Sequence, residues 1–235
     1  MDALRRLNAS TAGLLARVDD SLARWGAPEE HPVWPLLRRT GALPGDVVSG
    51  LADWSPEPWR QQAAALRGHA EAARAVGGGL DRLPSWEGTA GDAFAVARQR
   101  ISREARHRAD RLRADAVFHD ELADVLTAGR ARVARGLARV AGSAEAVALV
   151  TGVTVGAAAA TRPGRGVGAI GETEFGLAPG LRAQAAAAIA VALLTDVDAL
   201  LTELDELLAR GPAVVETKVV AADIPSTATT LRVEL

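Results

Sequence analysis

The sequence predicts an all-α protein: an elongated antiparallel helical hairpin or bundle with a short extended or β-prone C-terminal tail. Three observations carry that prediction. About half of the 235 residues are apolar, alanine the commonest among them, and they recur at three- and four-residue steps over long segments. Glycine and proline punctuate these segments at only a few places, and no repeat of solenoid period appears. Period-two alternation is confined to LRVEL at the C-terminus.

Each element follows in order. Residues 2–25 place Leu4, Leu7, Thr11, Leu14, Leu15, Val18, Leu22 and Trp25 on one stripe of an amphipathic helix, with Arg5, Arg6, Arg17, Asp20 and Arg24 mostly off it. Gly26 and Pro28 stop that helix, and an irregular connection with one short turn around Leu36 follows. A second short helix is expected over 46–54. Ser55-Pro56-Glu57 then reads as a helix start: serine accepts from free backbone N–H groups, proline fits the first turn, and the acid suits the helix dipole. The helix it opens carries Trp59, Ala63, Leu66, Ala70, Ala73 and Leu80. It weakens at Gly77, Gly78 and Gly79, which together cost about 3 kcal/mol relative to alanine. It ends near Leu83, before Pro84.

After Gly88 the stripe resumes with Phe94, Ala97, Ile101, Ala105, Leu112 and Ala116, and runs toward Ala160. The first fifty residues of such a helix span about 75 Å. Its middle, SREARHRADR, offers only alanines to the stripe, so close approach of a neighbouring helix or partial exposure is expected there. Residues 1–160 thus form a helical bundle containing a hairpin over 55–160. A glycine-rich linker follows at 161–180, then an acidic amphipathic helix at 181–210 with Ile189, Leu193, Val197 and Leu200 on its apolar side, and an extended tail at 211–235.

Composition removes several classes of function. The formal net charge is −2, so no global field attracts nucleic acid or membrane. With no cysteine there are no disulfides, thiolate metal sites or cysteine nucleophiles. The N-terminal segment has no uninterrupted apolar stretch of signal-peptide type, because Asn8, Ser10, Thr11 and Arg17 break it. The most apolar run, residues 146–160, falls short of the roughly 20 residues needed to cross a bilayer and reads as a packed helix, with membrane contact as a minor alternative.

Motif by motif, the structural reading outweighs the chemical one. Gly166, Gly168 and Gly171 spell G-x-G-x-x-G, but no strand precedes them and no helix opens at them, so a linker is expected rather than a dinucleotide site. Glu104 and His107 supply half of a di-iron arrangement whose second half is missing. The arginines at 98, 100, 103, 106, 108, 111 and 113 are distributed around a helix, and a solvated face pairing with acidic helices is expected, the final helix foremost. No G-x-S-x-G, Walker loop, H-E-x-x-H or Ser/His/Asp set is present. The chain is therefore read as a non-enzyme with no catalytic residue, cofactor or metal.

One stretch carries family information. Trp86-Glu87-Gly88 lies between two long helices and continues as TAGDAF, which gives W-x-G-x-A-x-x-A-F through Ala90, Ala93 and Phe94. This resembles the WxG (Esx-like) family of type VII secretion proteins over roughly residues 55–140, in the manner of its longer PE/PPE-like members. The resemblance implies a helical hairpin with the tripeptide in its turn, export without a conventional signal peptide to the medium or cell envelope, and an actinobacterial source. It implies as partner another WxG-type helical protein or a second copy, with the secretion ATPase as a further one; the near-neutral charge and the short apolar run, for their part, lead to no expectation of nucleic acid or membrane as partner. Trp86 is then expected to pack across the hairpin end or face a partner, Gly88 to allow close approach, and Phe94 to anchor the second helix. Family export signals add a Y-x-x-x-[DE] element, often on the partner; this chain has no tyrosine. Two other roles stand beside this one: an adaptor docking a toxin or partner through residues 181–235, and a helical protein acting on membranes.

Overall fold

The computed structural model describes residues 2–152 and 178–211. Among these, the chain forms an all-α bundle of seven helices with no strand: α1 (Ala3–Trp25), α2 (Val33–Thr40), α3 (Pro44–Asp53), α4 (Glu57–Asp81), α5 (Thr89–Ala141), α6 (Ala144–Thr151) and α7 (Pro179–Arg210). The G-x-G-x-x-G glycines, most of the linker and the β-prone tail lie outside the described residues.

The α1 helix starts where Asp2 accepts from the Arg5 N–H at 3.0 Å and stops at Gly26, whose φ of +66° suits glycine. Its apolar stripe is the expected one, with Leu4, Leu14, Leu15, Val18 and Leu22 buried. The connection expected to hold one short turn contains a full helix instead, α2. Proline in its first turn is tolerated, Gly41 ends it at φ +66°, and burial of Val33 holds it to the core. Where one helix was expected from 89 to 160, the chain breaks at Gly142. Ser143 then caps α6, its Oγ accepting from Ala146 N at 3.1 Å.

Two packing regimes result. In the body, α1, α2, α3, α6, α7 and the C-terminal part of α5 share one core, including Leu15, Val18, Val48, Val133, Leu137 and Ile189. Large side chains fill it, each worth about 1.5–3 kcal/mol of burial. The α7 helix is long and apolar enough to cross a membrane by length and composition, yet Leu193, Leu194 and Leu200 lie inside this core. Its acids do not meet the arginine cluster at 98–113. They pair with Arg39 of α2 (Asp198, Asp205) and with Arg132 and Arg139 of α5 (Glu203, Asp196).

A buried arginine ties the start of the chain to this body. Arg130 donates to the Asp2 carboxylate and to the carbonyls of Leu51, Ala52 and Trp54 at the end of α3. Arg5 donates to Ala52 O at 2.8 Å and Asp53 O at 3.3 Å. Two cations thus satisfy carbonyls that α3 leaves without intrahelical partners, at its negative end. Partial desolvation of Asp2 opposes its ionisation, but the Arg130 hydrogen bond and the Arg5 N–H outweigh it and hold the carboxyl below its usual range.

Candidate interaction site at the hairpin turn

The second regime is an arm. The α5 helix has 53 residues and so spans about 80 Å. Its N-terminal part packs against α4. The buried residues of α4 are Ala63, Ala70 and Gly77, seven apart, and those facing them on α5 include Ser102, Ala109 and Ala116, again seven apart. A strict heptad of small residues lets two antiparallel helices approach closely. At Gly77 a Cβ would lie 3.3 Å from Ser102 O, and Ser102 Oγ donates to Gly77 O at 3.2 Å and to Asp81 Oδ1 at 2.8 Å. The alanine-only stripe in SREARHRADR therefore marks close approach.

One border of this seam is sealed by charge. Arg60 donates to Thr127 Oγ1 at 3.1 Å, Arg67 pairs with Asp120, and Asp81 pairs with Arg106. Arg74 and Arg113 share Asp110, at 3.2 and 3.5 Å. Three arginines of the cluster, Arg106, Arg111 and Arg113, thus find their acids within the arm itself. Glu104 of the incomplete E-x-x-H pattern meets Arg111 at 3.4 Å, and among the described residues no group of three or more His, Asp or Glu is placed to hold a metal ion.

Residues 82–88 turn the chain from α4 into α5, and Trp86-Glu87-Gly88 occupies the end of that turn. Arg98 Nη1 donates back to Leu83 O at 2.5 Å and fixes the turn against the second helix. Gly88 precedes α5 with φ +89° and ψ 174°, a region open essentially to glycine, and its carbonyl accepts from Asp92 N at 3.0 Å. A Cβ on Gly88 would meet nothing within 4 Å, so its role is conformational and not the close approach expected of it. Close approach belongs to Gly91, where a Cβ would sit 2.6 Å from the carbonyl carbon of Trp86 and 3.2 Å from its Cβ. The signal for Gly91 was present in GTAGDAF as a second glycine one turn after the first.

None of the known families, curated proteins or solved structures compared matches this chain.

The turn brings Trp86 and Phe94 together: their rings stack with centroids 4.8 Å apart and planes 16° from parallel. Trp86 nonetheless stays 61% exposed, Phe94 is half-buried, and Ala90 and Ala93 point to solvent. Of the five motif residues, then, two meet each other, Gly88 shapes the backbone, and the two alanines are exposed. This arrangement offers apolar contact surface and a fixed backbone turn. A second aromatic group lies where arm meets body, with Trp59 and Phe118 within 5.7 and 5.9 Å of the His119 ring.

Elsewhere, a cavity of about 680 Å³ lies between α1, α6 and α7, where Arg17 donates to the Leu149 and Val150 carbonyls at 3.2 and 2.9 Å. Those bonds cap the end of α6. A smaller apolar groove of about 310 Å³ separates α3 from α7, with Trp54 at its rim.

Proposed function

We propose that this chain is a non-enzymatic helical interaction protein similar to type VII secretion substrates or their partners, exported to the medium or cell envelope of an actinobacterium-like cell. One observation supports the reading above the others. Trp86-Glu87-Gly88 falls at the turn of a two-helix arm, with Gly88 at φ +89° and Trp86 exposed on a ring stack. A tryptophan whose only purpose was to fill a core would be buried; one that remains mostly exposed while its backbone is held by Gly88 and Gly91 is presented.

The partners on this reading are another helical protein of the same type and the secretion ATPase. The adaptor role is less favoured, because the apolar side of α7 is used inside the body core and is not available for docking. Fractionation of a host with an intact secretion system and of its ATPase-deficient mutant tests the proposal. Wild-type protein should reach the medium or wall only in the intact host, and Trp86→Ala should remain inside. Protein confined to the cytosol of both hosts would overturn it.

A further inference from the structure

We infer that the arm carries a docking surface for an acidic amphipathic helix of a different protein, on the border of the α4–α5 seam opposite its ion pairs. The inference deepens the interaction role proposed above and rests on it. The register that pairs Arg67 with Asp120 and Asp81 with Arg106 fixes what lies on the other border. There it sets Leu83 opposite Phe94 and Val76 opposite Ile101, and only then the polar pair His69 and Arg108.

The ion-paired border is polar along its whole length, whereas this one is apolar for the half nearest the turn. Val76 is 56% exposed, Ile101 47% and Leu83 42%, and Trp86 continues the patch at its end. Large apolar side chains left this open, adjacent to one another on one side of a rigid hairpin, mark a surface that is covered when the protein is at work.

Charge identifies the occupant. Arg82, Arg100 and Arg108 border the patch, and among the described residues none of them has a carboxylate partner. Glu104, the acid on the same side, is already paired with Arg111. A second copy of this chain would bring those three arginines against their equivalents, which like charges oppose. A helix with small or branched apolar residues along one stripe and Glu or Asp beside it covers Val76, Ile101 and Leu83 and neutralises the arginines at once. Acids on its borders also speed encounter and set its orientation.

Two labelled synthetic helices of about 20 residues, long enough for the patch at ~1.5 Å per residue, test this against the full chain. Both carry the same Leu/Ala stripe; one has Glu on its borders and the other Lys. The Glu peptide should bind at least about ten-fold more tightly and weaken as NaCl rises from about 50 to about 500 mM, as screened charge requires. Ile101→Glu should remove its binding while circular dichroism shows unchanged helix content. Equal binding of the two peptides, or no binding of the Glu peptide, overturns the inference. So does a dimer of the chain in sedimentation equilibrium that Ile101→Glu dissociates. Failure here with secretion intact would refute the surface and its partner chemistry while the proposed export stands; the reverse outcome would refute export alone.

Discussion

Replacing Gly91 by alanine should destabilise the arm, although the residue lies in the first turns of a helix and alanine is the better helix former. The propensity gain is about 1 kcal/mol. Against it stands a Cβ that would lie 2.6 Å from the Trp86 carbonyl carbon, in contact with backbone that cannot rotate away. Relief requires the turn to move by roughly an ångström, and overpacking of this kind costs about 1–3 kcal/mol. The same movement disturbs the Trp86–Phe94 stack, worth about 0.5–1.5 kcal/mol. The net expectation is about 1–3 kcal/mol of local destabilisation. Gly78 is the control: it is helical, and a Cβ there meets nothing within 4 Å. Gly78→Ala should therefore stabilise by about 1 kcal/mol. Native-state hydrogen exchange separates the arm from the body, so α4 amides should exchange faster in the Gly91 variant and slower in the Gly78 variant. Equal stabilisation by both substitutions would refute the assignment of Gly91 to close contact with Trp86.

Other consequences follow from the same contacts. Arg130→Met should cost about 1–3 kcal/mol in denaturant unfolding, because it removes the buried donor that satisfies the Leu51, Ala52 and Trp54 carbonyls and leaves the half-exposed Asp2 with only its Arg5 contact; a loss below about 0.5 kcal/mol would show that the network is dispensable. Raising NaCl to about 1 M should hasten exchange in α4 while leaving the body core unchanged, since exposed ion pairs are screened and large buried side chains are not. Burial pushes the Asp19 carboxyl up, the Gly45 N–H only partly offsetting it and Asp46 and Asp20 adding to it. A raised folded-state value means the native form holds the proton more tightly, so this residue's contribution to stability falls as pH rises from its unfolded value of about 3.9 through the folded one. Asp19→Asn should abolish that slope, and an unchanged acid-side profile of stability would count against it.

Much of this fold was legible because its elements are long and strongly periodic. The α1 stripe from Leu4 to Leu22, the hairpin with its turn at 82–88 and the apolar face of α7 all follow from three- and four-residue spacing. The α2 helix was not legible, since its eight residues hold Pro35 and two arginines, and its stability comes from burying Val33 and pairing Arg39 with α7. Such tertiary support leaves no local signature. Partner choice among charges failed for the same reason: Arg106 meets Asp81 and Arg74 meets Asp110 because the antiparallel register puts them there, while Arg111 and Arg113 find Glu104 and Asp110 on their own helix, and composition carries no register. At the turn, the motif residues could be read as a unit, but the division of labour between Gly88 and Gly91 could not, because it depends on where the Trp86 carbonyl comes to lie.

The apolar border of the arm is not something the arm's own stability demands. Along the opposite border, the chain places an ion pair or a shared acid at each heptad from Arg60, which pairs with Asp124 at 3.4 Å, to Asp81, so the same scaffold accommodates charge at flanking positions. Placing Arg at Val76 and Asp at Ile101 would extend that solution to the other side, where the register sets the two opposite each other. Exposed pairs of this type contribute about 0.2–1 kcal/mol, and the residues replaced are about half exposed, so the double variant should leave the arm as stable as the wild type or slightly more so. Yet it removes the apolar centre of the patch, so capture of the acidic helix should disappear. Stability retained with binding lost would show that Val76 and Ile101 are apolar for a partner. If the arm instead unfolds, by faster exchange throughout α4, then these side chains serve the hairpin itself, and the apolar border needs no partner to explain it.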